Sequence, residues 1–166
     1  MARRLLPRPH RAAAPTAVNL LLDTHAFLWW IQDDAQLGAR TRAAIERASV
    51  HVSAATIWEI AIKIPLGKLR WQSTRISLDT SIAACGFAEL PITPIHAAKV
   101  LTLPRHHGDP FDRILIAQAL AEGLTIVTAD GAFETYGVAI LDAASGKQIE
   151  PARRSVRRAS PPRGSH

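Results

Sequence analysis

The chain has 166 residues, 48% of them hydrophobic, with 20 Lys and Arg against 14 Asp and Glu. That length suits one domain with a sizeable core, and no apolar run approaches the ~20 residues of a membrane span. The single cysteine, Cys85, excludes an intramolecular disulfide and a multi-cysteine zinc site and suits a reducing cytoplasm. The positive charge is concentrated at the two ends. Residues 1–17 hold Arg3, Arg4, Arg8 and Arg11 and no acid, and residues 145–166 hold Lys147, Arg153, Arg154, Arg157, Arg158 and Arg163 against Glu150. Residues 18–144 between them are net acidic. The ends also hold six of the eleven prolines. Such Pro- and Arg-rich, apolar-poor composition reads as two disordered arms able to attract phosphate without sequence preference. Pro7, Pro9 and Arg11 interrupt any apolar core of a secretory signal. The expected organisation is therefore a domain over residues 18–144 between basic tails.

In chain order, Val18–Asp23 reads as a short buried strand and His25–Gln32 as a helix, with Phe27, Leu28 and Ile31 at helical spacing. Thr41–Ala48 forms a second helix and Val50–Val52 a strand. Ser53 suits the N-cap of a helix over Ala54–Ile64, which Pro65 and Gly67 stop. Another helical stretch opens at Ser77 or Asp79 and ends at Gly86, followed by a strand over Phe87–Leu90. Pro94–Leu103 is helical, residues 104–110 form a Pro/Gly/His loop, and Phe111–Glu122 is a strong helix ended by Gly123. Leu124–Thr128 is a strand, Gly131–Thr135 a short turn, and Val138–Leu141 the last strand. Short apolar strands alternating with helices predict a parallel α/β sheet covered on both faces, with a ligand site beyond the carboxyl ends of the strands.

Four acids sit where the pattern leaves little room to solvate them. Asp23 ends the run Leu20-Leu21-Leu22, Glu59 lies inside Ile57-Trp58-Glu59-Ile60, Asp112 opens the apolar stretch after Phe111, and Asp130 closes Leu124–Ala129. A buried charge is costly unless it is paired or binds a metal, and several carboxylates in one place repel. One shared site neutralised by a hard cation accounts for all four, and oxygen-only ligands favour Mg²⁺ or Mn²⁺ over zinc. Each acid has a plainer explanation. Asp23 and Asp130 are credible helix or turn caps, Glu59 has Lys63 four residues on, and Asp112 suits a helix start beside Asp109 and Arg113. Thr128 lies on the same strand face as Asp130 and is a candidate to support the site. His106 and His107 fit no zinc spacing. Trp29, Trp30 and Trp58 read most simply as core or self-contact residues.

The order of these blocks resembles a PIN domain of the VapC toxin type. The matching segments are Leu21–Trp30, Ser53–Ile60 with Gly67-Lys68-Leu69, Asp109–Arg113 through Ala117-Gln118-Ala119, and Leu124–Asp130 with Phe133. The resemblance covers roughly residues 18–142 and neither basic tail. It implies a three-layer α/β/α fold and Mg²⁺- or Mn²⁺-dependent endoribonuclease activity. Asp23, Glu59, Asp112 and Asp130 are then the metal-binding acids, with Thr128, Arg113 and Asp109 as supporting or substrate-facing residues. The implied partners are an RNA substrate, a cognate antitoxin and a second copy of the chain. Two other readings compete: a catalytically idle PIN-like module that binds RNA or protein, and an aspartyl phosphotransferase. The second lacks the further aspartate it needs, since position 25 is His25.

Overall fold

The computed structural model describes residues 18–72, 76–106 and 108–151. The arms expected over 1–17 and over most of 145–166 lie outside them. Five parallel strands form the sheet: β1 (Asn19–Leu22), β2 (Ser49–Ser53), β3 (Ala88–Leu90), β4 (Thr125–Thr128) and β5 (Ile140–Asp142). A sixth, β6 (Gln148–Ile149), pairs antiparallel with β5, and the spatial order is β3-β2-β1-β4-β5-β6. β1 is central, and its side chains alternate between two cores. Leu20 and Leu22 join Val50, Val52, Val127 and Leu141 on one face, while Leu21 joins Ile126 and Ile140 on the other. This two-sided burial is why the strand reads as an unbroken apolar run.

The first face carries α1 (Thr24–Gln32), α2 (Ala39–Ile45), α3 (Ala54–Lys63) and the single turn α4 (Ser81–Ala84). The second carries α6 (Pro110–Glu122), against which α5 (Pro94–Lys99) packs. The result is the three-layer α/β/α architecture. α5 and α6 are tied by buried His96, whose Nδ1 accepts the Thr93 N–H at 3.2 Å while Nε2 meets Glu122 Oε1 at 2.8 Å. Nδ1 being an acceptor, the proton sits on Nε2 and the ring donates to the carboxylate. Gly123 ends α6 in the left-handed conformation, φ 67°, as its position in the sequence requires.

Three elements differ from expectation. The helix over Pro94–Leu103 stops at Lys99 and tightens into a 3₁₀ turn, Val100–Thr102. Pro104 pushes Leu103 to extended backbone, and Arg113 of α6 binds the carbonyls this releases. The stretch from Ser77 to Gly86 is a 3₁₀ turn, Leu78–Thr80, followed by α4, rather than one helix. Finally, β6 falls inside the stretch assigned to the C-terminal tail, so the ordered fold runs past residue 144. A two-residue strand beside basic sequence carries almost no apolar signal.

The β5–β6 turn is also a packing surface. The Gly38 N–H donates to Ala143 O at 3.0 Å, and Thr41 Oγ1 to Asp142 O at 3.0 Å. A Cβ on Gly38 would stand 1.9 Å from the Ala144 carbonyl oxygen, a backbone atom that cannot move aside. The Ser145 hydroxyl and N–H both donate to Asp142 Oδ1, at 2.6 and 2.7 Å, and hold that carboxyl below the usual aspartate range. Gly38→Ala is therefore expected to cost about 3 kcal/mol in urea denaturation. A chain ending at Ala144 should melt well below one ending at Pro151. Equal melting of the two truncations would show that β6 and its turn contribute nothing.

Candidate active site

The site forms where β1 and β4 end side by side. Asp23 follows β1 and extends its pairing, its N–H donating to Val127 O at 3.1 Å. Its Oδ1 accepts the Ala26 N–H at 2.7 Å and so caps α1. The next residue, Thr24, is buried and donates its hydroxyl to Oε2 of Glu59, which reaches in from α3. Lys63, one turn along α3, bonds Glu59 Oε1. From the other face, Asp109 caps α6 by accepting the Phe111 N–H at 2.8 Å. Pro110 supplies the first helical residue, and Asp112 lies in the first turn. Asp130 follows β4 and caps the 3₁₀ turn Gly131–Tyr136 through the Ala132 N–H at 2.8 Å.

These elements enclose a cleft of about 90 Å³ lined by the carboxylates of Asp23, Glu59, Asp109, Asp112 and Asp130, with Thr24, His25, Lys63 and Phe133. The four acids singled out by the sequence pattern thus share one cleft, and Asp109 makes a fifth. Asp23 and Glu59 are buried, whereas Asp130 is exposed. Thr128 stands behind them. It accepts the Asp130 N–H at 3.0 Å and its hydroxyl bonds the Asp23 carboxylate, so one side chain joins the two strand-end acids.

Arg113, expected as a supporting or substrate-facing residue, anchors the segment before α6. Its guanidinium donates to the carbonyls of Pro104, Val100 and Leu103 at 2.8, 3.1 and 3.3 Å and does not line the cleft. Trp58, expected in the core or at a self-contact, stays out of the core. It is 59% exposed and sets its ring edge-on to Phe111, centroids 5.2 Å apart. Sequence reasoning passed over Thr24 and gave Lys63 no role beyond an intrahelical pair with Glu59. The signal for Thr24 was its place immediately after a strand-end aspartate.

The charges settle in opposite senses. Burial raises the Asp23 carboxyl above the usual aspartate range, against the hydrogen bonds of Thr128 and Ala26 and the charge of His25, and nearby Glu59 adds to the rise. Burial works against the Lys63 ammonium, but the Glu59 hydrogen bond and charge outweigh it, Asp109 and Asp112 assist, and its value ends above the usual lysine range. The donors on offer to a cation are carboxylate and hydroxyl oxygens, which suit a hard divalent ion in kind. Among the described residues no group of three or more acids, histidines or cysteines is already arranged to hold one. Glu59 in particular is engaged by Thr24 and Lys63.

A raised aspartate value has a definite consequence for stability. The folded state holds the Asp23 proton more tightly than the unfolded state, so this group's contribution is full below the unfolded value and is lost as pH rises through the folded one. Without divalent cation, ionised Asp23 thus opposes folding at neutral pH. Asp23→Asn keeps an oxygen for the Ala26 cap and removes the charge. In urea denaturation with EDTA it should be more stable than wild type at pH 7, with the gap closing toward pH 4. A variant less stable than wild type at pH 7 would show that the charge is compensated in place.

Comparison with known proteins agrees with this arrangement. The sequence model of the PIN domain matches residues 20–139. Ribonuclease VapC22 of Mycobacterium tuberculosis (strain ATCC 25618 / H37Rv) is 32% identical over 121 residues, covering 68% of this chain and 87% of that protein. FitAcB from Neisseria gonorrhoeae superposes with a TM-score of 0.56 at 22% identity, over 75% of this chain and 97% of its own. VapBC2 from Rickettsia felis, bound to a DNA fragment from their promoter, gives a TM-score of 0.52 at 11% identity, over 72% and 93%. The two structures share the fold. The family match runs from β1 to the approach of β5 and takes in every acid of the cleft, so this chain belongs to the PIN domain family, among its VapC-type members.

Proposed function

We propose that this chain is a Mg²⁺- or Mn²⁺-dependent endoribonuclease that serves as the toxin of a toxin–antitoxin pair. The observation that carries the reading is the meeting of five carboxylates in one cleft at the carboxyl ends of β1 and β4, in a chain related to a ribonuclease. Asp23, Glu59, Asp112 and Asp130 would hold the cation. Once bound, it supplies Lewis acidity toward a phosphate oxygen and toward the attacking water. The remaining work belongs to the protein. Thr128 fixes Asp23 relative to Asp130, Thr24 orients Glu59, and the Asp109 cap sets the start of α6 and hence the place of Asp112. Phe133, almost fully buried, gives the cleft an apolar side.

The partners follow the same reading. RNA approaches a net-acidic domain carrying basic end sequences, whose arginines draw phosphate toward it. A cognate antitoxin silences the enzyme in the cell. A second copy of the chain packs on the apolar stripe of α3, where Trp58 and Ile62, and Leu66 beyond the helix end, are 59%, 39% and 61% exposed. The setting is the cytoplasm, where Cys85 stays reduced. Burial pushes its thiol up to about 11, so little reactive thiolate forms at neutral pH.

The deciding experiment is cleavage of a mixed RNA pool by purified protein with Mn²⁺ and with EDTA. EDTA should abolish cleavage. Asp112→Asn should lose at least about 100-fold, and Thr128→Ala about 10–100-fold, the usual range for a group that orients a ligand. Expression of wild type alone should arrest growth, and expression of Asp112→Asn should not. RNA binding without cleavage in Mn²⁺ would instead favour the idle binding module.

A further inference from the structure

We infer that Lys63 is the resident counter-ion of the acidic cleft, and that it and a divalent cation hold Glu59 in turn. The inference rests on the metal-site reading and adds a regulating residue to it. Lys63 is the only lysine or arginine among the described residues that lines the cleft, where five carboxylates stand. Its side chain is 25% exposed and that of Glu59 is 4% exposed, so the pair is shielded from the water that weakens surface ion pairs. Both Glu59 oxygens are engaged, Oε1 by Lys63 and Oε2 by Thr24. The carboxylate that should join Asp23 and Asp112 around a cation is thus held by a positive charge from its own helix. Asp109 and Asp112 attract the same ammonium.

Two requirements meet in this residue. Without a cation, the cleft needs positive charge to keep its acids together. With one, that same charge would repel it. A lysine satisfies both because its flexible four-carbon stem lets the ammonium leave. Lys63 is accordingly a positioning residue: it sets the orientation of Glu59 and the affinity of the site. A lysine serving only as a helix strut would stabilise α3 and leave cation binding alone.

Two measurements on the full chain test this. The first uses wild-type protein and acetic anhydride, with acetylation of Lys63 followed by mass spectrometry and exposed Lys68 and Lys147 as internal references. Labelling of Lys63 should be slow in EDTA and rise several-fold at saturating Mn²⁺, with the references unchanged. The second is Mn²⁺ titration calorimetry without RNA. Lys63→Met should bind Mn²⁺ about tenfold more tightly than wild type, as loss of one nearby positive charge implies, and Lys63→Arg, whose fork is harder to displace, should bind it no more tightly than wild type. Unchanged labelling, or a Lys63→Met variant that binds no more tightly, overturns the inference while leaving the metal site standing. A wild type that binds no Mn²⁺ removes the metal-site reading and this inference with it.

Discussion

A carboxylate kept in the interior at the end of the central strand governs what surrounds it. Asp23 continues β1 by pairing its backbone with Val127, which holds the residue at the buried end of the strand. A buried carboxylate is tolerated only with donors at hand. Two are supplied from different parts of the chain, the Ala26 N–H of α1 and the Thr128 hydroxyl of β4. Thr128 then accepts the N–H of Asp130. One buried charge therefore links the ends of two neighbouring strands, the start of a helix and the loop after β4. The cleft is built from those links.

The caps and the site are the same residues. Asp23, Asp109 and Asp130 each accept a backbone N–H at the start of a helical turn. Each also places its carboxylate in the cleft. Helix starts are sound places for negative charge, because the first-turn N–H groups and the macrodipole both favour it. Three strand-to-helix or loop-to-helix starts converging on one end of a parallel sheet can thus gather acids that would otherwise repel one another. Glu59 is the exception. It lies mid-helix with no cap to stabilise it, and it is the acid that requires a hydroxyl and an ammonium of its own.

What could be read from the sequence follows from the same physics. β1 and β4 are apolar on both faces, so their runs and terminal acids stand out, and four of the five acids lining the cleft are legible as one group without the structure. Capping and site roles were weighed as rivals for Asp23 and Asp130, yet both roles share one side chain. The i,i+4 spacing predicts the Glu59–Lys63 pair and the apolar neighbours of Glu59 predict its burial, and α3 turns that pair inward while Trp58 faces out. Arg113 follows Asp112 in sequence, but adjacent residues on a helix point about 100° apart, and its guanidinium binds the carbonyls of Val100, Leu103 and Pro104. The early end of α5 follows from Pro104, with Arg113 of a distant helix binding the carbonyls it frees, and β6 is too short to leave a local pattern.

The two cations nearest the acids divide the work according to their chemistry. Arg113 presents a rigid fork whose N–H groups are fixed in direction, and three carbonyls of the turn before α6 meet it at hydrogen-bond distance. Such a group is hard to displace, since several aligned bonds must break together. It suits a permanent joint, and here it pins the Val100–Pro104 segment to the helix that carries Asp112. Lys63 carries a compact charge on a flexible stem and meets a single carboxylate oxygen. Breaking that contact frees one bond and a mobile chain. The fixed cation therefore builds the wall of the cleft, and the movable one stands inside it, where an incoming ion has to replace something.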